Sequence, residues 1–146
     1  MSPRGSAAAS SKADLLAAVP LFAGLSRAAR ERLGRLMDEV DVAAGTVVIR
    51  EGNTGGEFFI VVDGSVGIRK GSRRVRTLGP GDFFGEIALI DKGPRSASVI
   101  VEEPAHLLVL SSREFHSMLA SDQRIENTIL RTLASRVREL RPADAY

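Results

Sequence analysis

The feature that most constrains the fold is a series of short, β-branched and aromatic runs between Thr46 and Leu110, separated by glycine, proline and charged residues. They read TVVIR, EFFIVV, SVGIR, RVRTL, SASVIV and HLLVL. Side chains of this kind suit a pleated, half-buried surface, and many short strands at regular spacing argue for an antiparallel barrel or jelly roll. Asp63-Gly64, between two apolar runs, predicts a tight hairpin, and Gly79-Pro80-Gly81-Asp82 predicts another turn. The barrel is expected over residues 41–110.

Helical spacing flanks this region on both sides. Leu33, Leu36, Met37 and Val40 recur at i, i+3, i+4 and i+7 behind a Ser26 cap, and Leu15 to Phe22 reads as a shorter helix, giving N-terminal helices over 13–40. Ser111 with Glu114 three residues on forms a capping box ahead of Phe115, Met118 and Leu119. Asp122 then caps a longer helix to about Leu140, so the C-terminal helices are expected over 112–141. Leu130, Leu133, Val137 and Leu140 share one face of it, with Ile125 and Ile129 beside them, a seam too short for an established coiled coil. That face either packs on the barrel or pairs with a second copy as a homodimer. The fold class is therefore mainly β, a double-stranded β-helix with N-terminal and C-terminal helices. MSPRGSAAASSK, residues 1–12, reads as a disordered leader to a single domain over 13–146.

Composition removes several function classes. The 146 residues are 44% hydrophobic and 26% charged, ordinary for one soluble domain. Cysteine is absent, which excludes a disulfide framework, a thiolate nucleophile and a cysteine metal site, and fits a reducing cytoplasm. No apolar run approaches the length of a membrane span. The pI is near 9.5, yet the formal charge is only +2, a weak overall field. The basic clusters Arg69 to Arg76 and Arg131 to Arg141 lack interleaved aromatics and read as solvated faces. His106 and His116 are the only histidines, without H-x-H or E-x-x-H spacing, so a cupin-type metal enzyme finds no ligands; a G-x-S-x-G hydrolase elbow is missing too. Both histidines are expected to be structural or exposed, and no catalytic residue, metal or cofactor is assigned.

The stretch Phe83 to Val99, FFGEIALIDKGPRSASV, carries the distinctive chemistry. If Gly85 to Leu89 is a helical turn entered from a strand, its first N–H groups have no intrahelical partners and form, with the dipole, a site for an anion. Gly85 permits close approach of the backbone. Arg95, nine positions after Glu86, offers a planar fork of donors matched to two phosphate oxygens, presented by Pro94, with Ser96 as a third contact. Glu86 is wrong for a phosphate but a good acceptor for sugar hydroxyls, as in dinucleotide-binding folds. The group described is a compact sugar phosphate. Taken in isolation, Glu86 and Arg95 read more simply as an ion pair across a loop.

The segment resembles the phosphate-binding cassette of the cyclic nucleotide-binding domain family, which reads approximately F-G-E-[IL]-A-L, a short spacer, then P-R-[AST]-A-[ST]-V. Here it is Phe84-Gly85-Glu86-Ile87-Ala88-Leu89, Ile90 to Gly93, then Pro94-Arg95-Ser96-Ala97-Ser98-Val99. The likeness extends through LLAAVPLFAGLS, AGTVVIREGNTGGEFFIVVDGSVGI and LGPGDFFGE, most of the chain after the leader. The resemblance implies Glu86 on the ribose 2′-hydroxyl, Arg95 on the cyclic phosphate, backbone donors from Ile87 and Ala88, and Ser96 where threonine in other members favours cyclic GMP. It implies cyclic AMP as the ligand, with cyclic GMP the alternative, and pocket walls from Ile68, Val75 and Leu78, which read equally as barrel core. The base-capping residue is not identified; Tyr146 and the arginines between Arg131 and Arg141 are candidates. Members that regulate transcription carry a helix-turn-helix after the long helix; none is read here, and a stand-alone regulatory module with an unknown effector is expected. The rival is an interaction module that docks a partner without nucleotide.

Overall fold

The computed structural model describes residues 9–20, 22–85 and 93–121, together with Gln123, Arg124, Glu126, Asn127, Leu130, Arg131 and Ala134. Two long strands organise it, β3 (Glu57–Lys70) and β6 (Ser98–Ser111), paired antiparallel from Glu57↔Ser111 to Arg69↔Ser98. Along the first part of β3 and the last part of β6 both faces are covered. Phe58, Ile60, Leu108 and Leu110 point one way, into a cluster with Leu16, Phe22, Leu33, Met37 and Phe115 from the flanking helices. Phe59, Val61, Leu107 and Ala105 point the other way, into the barrel interior with Ile49, Val66, Ile68, Leu78, Phe84 and Val99. Burying each large side chain contributes roughly 1.5–3 kcal/mol, which is why these segments read as unbroken apolar runs.

Shorter strands complete a six-stranded antiparallel sheet in the order β1-β6-β3-β4. β1 (Asp38–Val42) and β2 (Val47–Ile49) both pair with β6, β4 (Arg73–Leu78) pairs with β3, and β5 (Phe83–Phe84) pairs with the start of β3. The result is the expected mainly antiparallel jelly-roll architecture with flanking helices, its sheet curled but not closed. The Gly79-Pro80-Gly81-Asp82 turn forms with proline then a glycine at φ +90°; Asp82 N–H donates to Gly79 C=O at 3.0 Å, a type II arrangement. Phe59 and Phe84 stack with centroids 4.8 Å apart, fastening β5 against β3.

Local expectations about the strands are corrected. Asp63-Gly64 is not a hairpin, because β3 continues through it, joining EFFIVV to SVGIR. The register with β6 shifts around Val61, Asp63, Ser65 and Val66, so the glycine, at φ +83°, serves a bulge that bends the strand. The partner runs SASVIV and HLLVL are likewise one strand. The real two-residue hairpin is Gly71-Ser72, where glycine at φ +61° leads, as type II′ geometry requires.

The N-terminal helices are also shorter than the 13–40 span. α1 (Ala9–Ala17) begins inside the range read as leader and ends before Pro20, whose ring disfavours helix at the preceding residue. α2 (Arg27–Leu36) starts at Ser26, whose Oγ accepts from Ala29 N–H at 3.2 Å. Met37 turns extended, and Val40 lies in β1 at 37% exposure, so its i+7 match to the helical face is coincidental. At the other end, α3 (Ser112–Ser121) is capped by Ser111, whose Oγ accepts from Glu114 N–H at 3.2 Å. Of the longer helical seam, Leu130 is 41% exposed; Asp122, Ile125, Ile129, Leu133, Val137 and Leu140 lie outside the described residues. Among the described residues no helix is long and apolar enough to cross a membrane.

Candidate functional site

The site is assembled from backbone before side chains enter. The loop after β2, Glu51 to Gly56, lies against the segment entering β6: Gly52 N–H donates to Arg95 C=O at 2.9 Å, and Arg95 N–H to Asn53 C=O at 2.8 Å. This exchanged pair fixes the Arg95 main chain on both sides. Glu51 N–H, one residue earlier, donates to Ser98 Oγ at 2.8 Å, and buried Ala97 anchors the chain from the core side. Pro94 has no N–H to donate and stays exposed at the turn.

The half-buried Arg95 side chain then reaches back across the start of β3. Nη2 donates to Glu57 C=O at 2.8 Å and Nη1 to Gly85 C=O at 3.5 Å. Carbonyls accept without cancelling charge by ionisation, so these contacts orient the planar fork. Two glycines make room for it. A Cβ on Gly55 would stand 3.0 Å from Arg95 Nε and Nη2, and one on Gly85 would stand 3.2 Å from Nη1 and 2.8 Å from Glu57 O. Gly85 also takes φ +82°, which L side chains adopt only with strain. The residue just after β5 therefore meets the guanidinium at a position that only glycine fills at low cost.

Of the residues singled out from sequence, the fold brings Gly85 and Arg95 together, with Ser96 exposed on the adjoining turn. Glu86, Ile87 and Ala88 lie outside the described residues. Ile68 and Leu78 are 0% and 1% exposed in the barrel core, and Val75 is half-buried against the same cluster. Neither histidine contributes to these contacts: His106 is buried between β1 and β6, bonded to Asp41 and Glu39, and His116 is exposed on α3. Among the described residues no group of three or more histidine, aspartate and glutamate side chains is arranged to hold a metal.

The fold thus presents a guanidinium beside a positive-φ glycine just after a jelly-roll strand. A family profile described as the cyclic nucleotide-binding domain matches residues 39–122, more than half of the chain. The chain belongs to the cyclic nucleotide-binding domain family.

Among curated proteins it is similar to a cyclic nucleotide-gated potassium channel of Rhizobium etli, 39% identical over 123 residues, covering 84% of this chain and 34% of that one. It is also similar to a CRP-like cAMP-activated global transcriptional regulator of Mycobacterium tuberculosis, 30% identical over 130 residues, 86% of this chain and 58% of that one. The co-crystal structure of the regulatory domain of Toxoplasma gondii PKA with cAMP matches at a TM-score of 0.78 and 25% identity, over 91% of this chain and 51% of that one. The chain thus spans about a third of the channel and little more than half of the regulator.

In this cyclic nucleotide-binding domain, sequence reasoning assigned no part to the loop Glu51 to Gly56 or to Glu57 at the start of β3. The loop supplies the carbonyl of Asn53 and the close-approach glycine at 55, and Glu57 supplies the second carbonyl. Its signal was the glycine-rich EGNTGGE between two strands, too long for a tight hairpin and marked by residues that let backbone approach backbone.

Proposed function

We propose that this domain binds a cyclic nucleotide, cyclic AMP in preference to cyclic GMP, and acts as a regulatory module with no catalysis of its own. The observation that carries this reading is Arg95, held by Glu57 C=O and Gly85 C=O at the mouth of the cassette, where its fork can take two oxygens of a cyclic phosphate. In this reading the amides of Ile87 and Ala88 complete the phosphate contacts, with Ser96 beside them. Glu86 accepts from the ribose 2′-hydroxyl, because a carboxylate repels the phosphate and suits a hydroxyl. Val75, with Ile68 and Leu78 behind it, walls the base. Cyclic AMP is preferred because cAMP stands in the name of the mycobacterial regulator and in the Toxoplasma complex.

Ligand binding is read as shifting the C-terminal helices, either over the base or in their contact with a second copy; such a shift requires differential affinity for the two arrangements. α3 leaves β6 directly at Ser112, whose backbone N–H donates to Gly56 C=O at 2.5 Å. Gly56 precedes Glu57, the residue that holds Arg95, so the helix start and the guanidinium share one stretch of backbone.

Calorimetry and thermal shift with cyclic AMP, cyclic GMP and AMP test the binding. A hundredfold excess over Kd raises stability by about 2.7 kcal/mol for a ligand that binds only the folded state. Flat titrations with both cyclic nucleotides leave the docking module as the better reading. Hydrogen exchange tests the shift separately: identical protection of the terminal helices with and without bound ligand removes the switch and leaves the binding.

A further inference from the structure

The β3–β4 hairpin is the least economical part of this surface. Arg69, Lys70, Arg73, Arg74 and Arg76 place five cations within the eight residues 69–76, with no acid among them. The register sets them against one another, Arg69 opposite Arg74 and Lys70 opposite Arg73 across the Gly71-Ser72 turn. Like charges directly opposite on paired strands cost stability. β4 ends the sheet order, and charge on an edge strand discourages pairing with another chain. That accounts for β4 alone, since Arg69 is on a strand already paired on its other side with Ser98 of β6. Glu102 binds Arg74, and Glu51 accepts from Gly71 N–H at 2.9 Å, so these two acids fasten the hairpin.

We propose that this hairpin is a docking surface for an acidic protein segment. Guanidinium forks favour bidentate pairing with carboxylates, and four of the five cations are arginine. Single-stranded nucleic acid is the poorer fit, because residues 66–78 contain no aromatic on which a base could stack and the chain carries only +2 overall. An anionic membrane is poorer too, since the apolar side chain of β4 nearest the turn, Val75, is half-buried against the core. The proposal does not depend on nucleotide binding.

The test is fluorescence anisotropy of a labelled octaglutamate peptide with the full chain at near-physiological salt, beside an oligothymidylate of equal charge and phosphatidylserine vesicles. Lys70→Glu and, separately, Arg69→Glu each turn a like-charge pair into an opposite one, so melting temperature is expected to hold or rise while peptide affinity falls about tenfold. Arg35→Glu, the same charge change on α2, is expected to leave peptide binding unaltered. The proposal is overturned by the absence of saturable peptide binding, by tighter binding of the oligonucleotide or vesicles, by equal loss in Arg35→Glu, or by destabilisation in both hairpin variants.

Discussion

Replacing Gly85 with alanine separates the two roles of that position. At φ +82° a Cβ costs about 1–2 kcal/mol in backbone conformation. Alanine returns about 0.4–1 kcal/mol by narrowing the unfolded ensemble, leaving a net cost near 1 kcal/mol. The new methyl would also stand 2.8 Å from the Glu57 carbonyl oxygen. That atom belongs to β3, paired with β6 on its other side, so strand backbone must shift; overpacking of this kind adds about 1–3 kcal/mol. Gly45→Ala is the control, because Gly45 has φ +88° and nothing within 4 Å of its would-be Cβ. Equilibrium urea unfolding with unchanged slope is expected to give a loss of about 2–4 kcal/mol for Gly85→Ala and about 1 kcal/mol for Gly45→Ala. Glu57 C=O also accepts from Arg95 Nη2, so only the Gly85 variant is expected to lose cyclic AMP affinity, by about tenfold, or 1.4 kcal/mol. Two variants within about 0.5 kcal/mol of each other in stability would refute the steric reasoning.

Arg95→Ala is expected to weaken cyclic AMP binding by about 2–5 kcal/mol in calorimetry, and Arg95→Lys to recover little of it, since an ammonium lacks the fork that spans two oxygens. Ser111→Ala removes the acceptor for Glu114 N–H and is expected to cost about 1 kcal/mol in thermal unfolding, while Ser112→Ala, which leaves that bond intact, should cost less. His106→Ala strands two carboxylates, Asp41 at 2.8 Å from Nδ1 and Glu39 at 2.8 Å from Nε2; about 2–3 kcal/mol should be lost in urea unfolding, and His106→Ala/Glu39→Gln should regain part of it.

The strands were legible because β-branched and aromatic runs carry their own signal, and so were the caps Ser26 and Ser111, whose chemistry spans three residues. Asp63-Gly64 misled for the opposite reason. The dipeptide suits a tight turn and a bulge equally, and the choice between them is made by β6, about forty residues downstream, whose Pro104 carbonyl would lie 2.2 Å from a Cβ on Gly64. Val40 failed similarly: the i+7 spacing belonged to a helix that Met37 had already ended, and pairing with Leu107 decided its conformation. At the proposed site, Gly85 and Arg95 were readable because the role proposed for each falls on its side chain, or on the lack of one. The part played by Asn53 and Glu57 was not, because they contribute main-chain carbonyls, which every residue possesses.

That division explains how the fold makes its site from so few distinctive residues. β3 carries alternate side chains into both hydrophobic clusters, so its backbone position is determined by packing on two faces at once. Glu57 begins this strand, and its carbonyl inherits the rigidity of Phe58 and Phe59 immediately behind it. Phe84, stacked on Phe59, gives the same rigidity to Gly85. Arg95 is oriented by those two carbonyls, and the core thereby reaches the guanidinium through a single hydrogen bond on each side. A substitution such as Phe59→Leu should therefore loosen the fork as well as the barrel interior, and Phe58→Leu, in the helical layer with Phe22 and Phe83, should reach the fork through Glu57 too; calorimetry with cyclic AMP checks both.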